Sequence, residues 1–230
     1  MGPLVAPKRY ARHPPSLRAF RHLVALSFAI FSGSACAAEW GCYSTKPGHP
    51  TADERAAFVR EISELAVKAE KSHGVPASAL AAIAIAESGY GWTRIALEAN
   101  NLFAWKFGAS ARKEGRKAYP PQCPGTRGAR ARYVAFRSRA EAFDHVAGKL
   151  ATLQAYRRHT EAYRAARARG EAPEKAVQMW LSGIADRYAG DPGAFIAKML
   201  RIIANPLDSA DPVPPDGTLH RLSAAQEHKR

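Results

Sequence analysis

The sequence predicts a mainly α domain with a small β-hairpin or loop lobe, and three observations carry that prediction. Apolar residues recur at helical spacing on both sides of residues 107–135. Capping residues bracket those helical stretches. Residues 107–135 themselves hold several Gly and Pro and no helical period, and close on "RARYVAF", a candidate strand. With 230 residues, 47% of them hydrophobic, the chain suffices for one substantial core.

The N-terminus reads as an export signal. Lys8, Arg9, Arg12, Arg18 and Arg21 precede the apolar run "LVALSFAIF" and the small residues "SGSACA". Ala35-Cys36-Ala37 fits a small-x-small cleavage pattern, making residues 1–37 a signal peptide and placing the protein in the periplasm or outside the cell. Cys36 as a lipoprotein anchor is the competing reading, disfavoured by Gly33 where such signals carry a large aliphatic residue. Export leaves Cys42 and Cys123 in an oxidising compartment and suggests that they pair. Two spaced cysteines make a poor ligand set, so no metal is expected, nor any other cofactor. No apolar run is long enough to span a bilayer.

Residues 38–51 form an extended lead-in. A first helix follows, capped by Thr51 with Glu54 three residues on; Phe58, Val59, Ile62, Leu65, Ala66 and Ala69 line one face, and Gly74 stops it. Pro76 starts a second helix that ends at Gly89, and a short third covers about 93–99. Beyond the lobe, Ser138 and Glu141 form a capping box for a helix to about 153. "TEAYRAARARG" makes another, Pro173 opens a longer one, and Asp191-Pro192 caps the last. The catalytic domain is thus expected over 52–204, with 205–230 as a disordered polar tail.

The second helix poses a chemical question. Eight apolar residues, Ala79 to Ala86, run directly into Glu87. A helix apolar all round is buried. Desolvation and the negative end of the helix dipole both oppose ionisation there, so the pKa of Glu87 should rise, as a general acid requires. Ser88, Gly89 and Gly91 follow in a low-bulk turn that a substrate can approach. Taken alone, a Glu at a helix end is more often a surface residue.

The surroundings change that balance. "AESGYGWTRIALEANNLFAWK" resembles the signature of bacterial β-N-acetylglucosaminidases of glycoside hydrolase family 73. "YVAFRSRAEAFDHVAGKL" and "IADRYAGDPGAFIAKMLRII" resemble two later segments of that family, in the same order. The resemblance implies a lysozyme-like α+β fold that cuts peptidoglycan glycan strands after N-acetylglucosamine. It makes Glu87 the general acid and Tyr188 a functional residue beside the cleft. Asn100 and Asn101 fall at the family's paired asparagines, to bond the sugar's acetamido group or to pin the turn behind Glu87. Ser88 is a candidate substrate contact, and Phe103 and Trp105 candidate floor residues.

The chain departs from the family's pattern in places. Ala104 stands where the family usually has glycine and Gly190 where it has threonine, both mild changes. The family's second acidic residue is expected in the lobe, where this chain offers only Glu114, among Lys113, Arg116 and Lys117. Those cations favour its ionised form, suiting a base or charge stabiliser; a solvated surface role is the alternative. Without a second carboxylate, the substrate's own 2-acetamido oxygen can serve as nucleophile.

A lytic transglycosylase or muramidase is the nearest rival, but its usual Gly-Leu-Met-Gln continuation is missing. A non-catalytic wall-binding module is the rival from another class. The net charge of +14 suits the anionic bacterial wall; with no recognised motif, nucleic acid is not an expected partner. A monomer is expected.

Overall fold

The computed structural model describes residues 40–121 and 131–224, all within one compact unit, Ala38–Arg230. The expected signal peptide and Cys123 lie outside the described residues, and the proposed Cys42–Cys123 pair with them; Cys42 is buried.

Helix α1, Ala52–His73, starts as its capping box predicts. The Glu54 N–H donates to Thr51 Oγ1 at 3.3 Å, and the Thr51 N–H donates to Glu54 Oε2 at 2.7 Å. Helix α2, Ala77–Ser88, follows Pro76, which caps nothing with its side chain. Glu70 does that work from α1. Its carboxylate accepts the Ala77 N–H at 2.9 Å and the Tyr163 hydroxyl at 2.5 Å. Burial pushes the Glu70 pKa up, and these hydrogen bonds hold it back.

The chain continues through α3 (Arg94–Ala99), α4 (Ala109–Lys113), β1 (Lys117–Tyr119), β2 (Tyr133–Ala135), α5 (Arg139–Thr152), α6 (Arg157–Ala168), α7 (Pro173–Tyr188), α8 (Pro192–Ala204) and α9 (His220–Ala224). The strands pair antiparallel, Lys117 with Ala135 and Tyr119 with Tyr133. The lobe is therefore a hairpin, with a short α4 that the sequence reading did not anticipate. Ser138 caps α5 as expected, accepting the Glu141 N–H at 3.1 Å, but Glu141 reaches back to the Arg137 N–H at 2.6 Å instead of the cap residue itself.

Helix α2 is the central strut. It packs against α1, α7, α8 and α9, and every residue from Ala77 to Ile85 is buried. Alanines let neighbouring backbones approach, while Leu80, Ile83 and Ile85 fill the gaps between helices. Removing a buried side chain of this size costs about 2–5 kcal/mol.

The expectation of a disordered tail fails for residues 205–224. Leu219 and Leu222 are buried, the Leu219 N–H donates to the Ile203 carbonyl at 2.9 Å, and the Ser223 and Ser78 hydroxyls meet at 3.1 Å. Two leucines at helical spacing beyond a proline-rich turn bring the chain back onto α1, α2 and α7.

Candidate active site

Glu87 occupies the last turn of α2, where the packing that fixes the helix gives way to a cleft of about 590 Å³. Gly89 terminates the helix in the left-handed region, φ 55°, returning its N–H to the Ile85 carbonyl. The Ser88 hydroxyl accepts the Gly91 N–H at 2.8 Å and donates to the Ala84 carbonyl at 2.5 Å. Ser88 is fully buried, and both of these hydrogen bonds shape the turn.

Glu87 is half-buried. Burial pushes its pKa up, opposed by the nearby Lys198 ammonium. Phe103, Trp105 and Tyr188 line the same cleft, joined by His145, Lys149 and Tyr156, which the sequence reading did not single out. Burial, the Glu87 charge and then Tyr156 push the Tyr188 hydroxyl well above its ordinary range. That hydroxyl is shielded and hydrogen-bonds to none of the described residues.

The two asparagines have different tasks. Asn101 is buried; its amide donates to the Trp105 and Val134 carbonyls at 2.9 and 2.8 Å, and its Oδ1 accepts the Phe103 and Trp105 N–H groups at 3.3 and 2.9 Å. Both donors and the oxygen are spent on backbone, so Asn101 pins the turn and has no group left for a sugar. Asn100 ends α3 at φ 50° and donates to the Phe136 carbonyl at 3.1 Å. Phe103 packs edge-on against Phe143 at 4.9 Å and is itself buried, while Trp105 is half-buried.

Glu114 caps the end of α4 away from Glu87's apolar setting. It takes a short hydrogen bond from Lys149 and another from Ser110 Oγ at 2.7 Å. The Lys149 bond first, then Ser110, hold its pKa below the ordinary carboxylate range. Ser110, His145 and Lys149 line the cleft, but Glu114 does not. His145 is buried against Trp105 and Phe136. Burial, then the Arg116 and Lys149 charges, push its pKa down. Arg116 can only donate to His145 Nδ1, at 3.1 Å, so a neutral ring carries its proton on Nε2. No three His, Cys, Asp or Glu among the described residues form a metal-binding group.

Residues 63–206 match the family model Glucosaminidase, described as mannosyl-glycoprotein endo-β-N-acetylglucosaminidase. The chain belongs to the glucosaminidase family. It is thus a glycoside hydrolase of the endo-β-N-acetylglucosaminidase type, as the motifs implied. The catalytic domain of the autolysin Auto from Listeria monocytogenes shares the glucosaminidase's fold, at 19% identity over 76% of this chain and 89% of that one, with a TM-score of 0.50. Weaker likenesses are an effector–immunity complex of a type VI secretion system from Pseudomonas protegens (18% identity, 65% of this chain and 91% of that one, TM-score 0.42) and an N-acetylmuramoyl-L-alanine amidase from Staphylococcus aureus (17%, 76% and 50%, TM-score 0.49). Comparison with curated proteins found no match.

Proposed function

We propose that this glucosaminidase hydrolyses the β-1,4 bond after N-acetylglucosamine in peptidoglycan glycan strands, with Glu87 as general acid. The observation that carries the reading is that Glu87 is the one carboxylate among the described residues lining the cleft, in a setting that favours its protonated form. The residues of the lobe outside the described set, 122–130, contain no Asp or Glu.

The second catalytic role then falls to the substrate. Glu87 protonates the leaving glycosidic oxygen as the C1–O bond breaks, and the 2-acetamido oxygen bonds to C1, forming a cyclic oxazolinium ion. Water opens that ring, giving its proton to the Glu87 carboxylate and restoring the acid. Tyr188, beside Glu87, stabilises the positive charge that develops at the sugar. Export by the N-terminal signal into the periplasm or beyond, and closure of a Cys42–Cys123 disulfide, belong to the same reading, since the substrate lies outside the cytoplasm.

Zymography on purified peptidoglycan with wild type, Glu87→Gln and Glu114→Gln tests it. Clearing by wild type and Glu114→Gln but not by Glu87→Gln is the expected pattern. Mass spectrometry should find reducing N-acetylglucosamine ends among the products; anhydromuramyl ends would identify a lytic transglycosylase instead.

A further inference from the structure

Residues 40–50 precede the family-matched span of 63–206, yet they are fastened to the turn that carries Glu87. The Lys46 N–H donates to the Trp92 carbonyl at 2.9 Å, and Thr45 forms an antiparallel bridge with Thr93. His49 stacks on Trp92 at 4.0 Å. Arg94 lies 4.3 Å over the Trp40 ring and donates to the Trp40 carbonyl at 3.0 Å. The Thr45 methyl sits so close to Gly89 that a Cβ there would come within 2.4 Å of it. The segment therefore lies directly against the turn two residues beyond Glu87.

Tyr43 extends from this segment to the hairpin. Its side chain is 58% exposed, whereas Tyr133 of β2 is buried. The two rings meet edge-on at 6.4 Å, and the Tyr133 hydroxyl donates to the Tyr43 oxygen at 3.2 Å. Tyr133 is bridged to Lys106, which lines the cleft, and its hydroxyl is near enough to Glu87 to feel that charge. A phenol hydroxyl carries one donor and two acceptor sites, so the Tyr43 hydroxyl keeps hydrogen-bonding capacity beyond its contact with Tyr133. A braced, exposed aromatic ring with a polar tip suits a sugar ring, whose C–H face is apolar and whose edge carries hydroxyls.

We infer that Tyr43, braced by Tyr133, is a stacking platform for a further sugar residue of a long glycan strand, extending the binding site beyond the cleft. The inference rests on the glycan-hydrolase reading above. The platform should matter only to substrates long enough to reach it.

The test compares Tyr43→Ala, Tyr43→Phe and wild type, as full chains, on long purified glycan strands and on an oligosaccharide of two disaccharide repeats. Tyr43→Ala should lower the ratio of long-strand to short-strand kcat/KM about three- to tenfold, through KM, with Tyr43→Phe retaining most of it. An unchanged ratio in Tyr43→Ala, or an equal loss on both substrates, overturns the platform. Thermal melting confirms that each variant is folded, and parallel loss of activity in Glu87→Gln keeps the two readings separable. If wild type cleaves neither substrate, or Glu87→Gln stays active, the functional reading falls and the platform with it.

Discussion

The end of α2 and the end of α4 each present a glutamate near one cleft, and the two surroundings drive those carboxylates in opposite directions. At the end of α2, an apolar helix packed on four sides leaves Glu87 little solvation, so burial raises its pKa against one modest cation. At the end of α4, Glu114 sits on an exposed turn and takes hydrogen bonds from Lys149 and Ser110, which lower its pKa. Burial at one site and hydrogen bonds at the other thus favour opposite protonation states of the same side chain. The contrast teaches that proximity to a cleft does not assign a role; the environment does.

The largest break in that comparison comes from Glu87→Gln, which keeps the shape but removes the transferable proton. Activity on peptidoglycan should fall about 10²- to 10⁴-fold, measured by dye release from labelled sacculi. Stability should respond differently. A carboxyl whose folded pKa is raised contributes stability at low pH that is lost as pH rises through that folded value. Glu87→Gln abolishes that loss, so its thermal midpoint at alkaline pH should equal or exceed wild type. A marked drop at alkaline pH would mean that Glu87 supports the fold in its ionised form.

Glu114→Gln should do far less. An exposed ion pair contributes about 0–1 kcal/mol, so the melting midpoint should barely move, and activity should stay within about tenfold of wild type. A loss as deep as that of Glu87→Gln, with folding intact, would make Glu114 the catalytic partner and remove the case for substrate assistance.

Much of the Glu87 side was legible in the sequence. The unbroken apolar run announced a buried helix, Gly89 announced its end, and the Asn-Asn-Leu-Phe block marked the turn behind it. The position of Asn101 was legible, but its task was not. Whether an amide faces backbone or solvent depends on where Trp105 and Val134 place their carbonyls, which no local pattern encodes. The hydrogen bonds by which the Ser88 hydroxyl closes the helix turn are likewise not written in any local pattern. On the other side, α4 is too short to show a period, and His145 looked like any residue on the face of α5. The packed tail was missed because proline and aspartate are frequent in its composition, while Leu219 and Leu222 are its only large apolar side chains that are buried among the described residues. The pairing of Tyr43 with Tyr133 spans 90 residues and rests on tertiary placement alone.

Two lysines allow the comparison to be sharpened by titration. Lys198 opposes the raised pKa of Glu87, and Lys149 enforces the lowered pKa of Glu114. Lys198→Met should therefore raise the Glu87 pKa further. Activity that needs the protonated acid declines as pH rises through that value, so the alkaline limb of the kcat/KM profile should move to higher pH. Lys149→Met should raise the Glu114 pKa, yet leave that alkaline limb in place if Glu114 transfers no proton. A limb that shifts in Lys149→Met but not in Lys198→Met would exchange the roles assigned to the two carboxylates.

The smallest effect concerns the turn that joins the two regions. Ala104 lines the cleft and adopts φ 48°, a left-handed conformation in which its Cβ crowds the following carbonyl. That strain costs about 1–2 kcal/mol relative to a residue without Cβ. Glycine removes the strain but adds freedom to the unfolded chain, which offsets about 0.4–1 kcal/mol. Ala104→Gly should consequently stabilise by about 0.5–1 kcal/mol, a rise of roughly 2 °C in the thermal midpoint for a chain of this size. A fall in the midpoint would mean that the alanine methyl packs well enough against the lobe to outweigh its own backbone strain. The turn would then be held by side-chain contact as much as by the Asn101 hydrogen bonds.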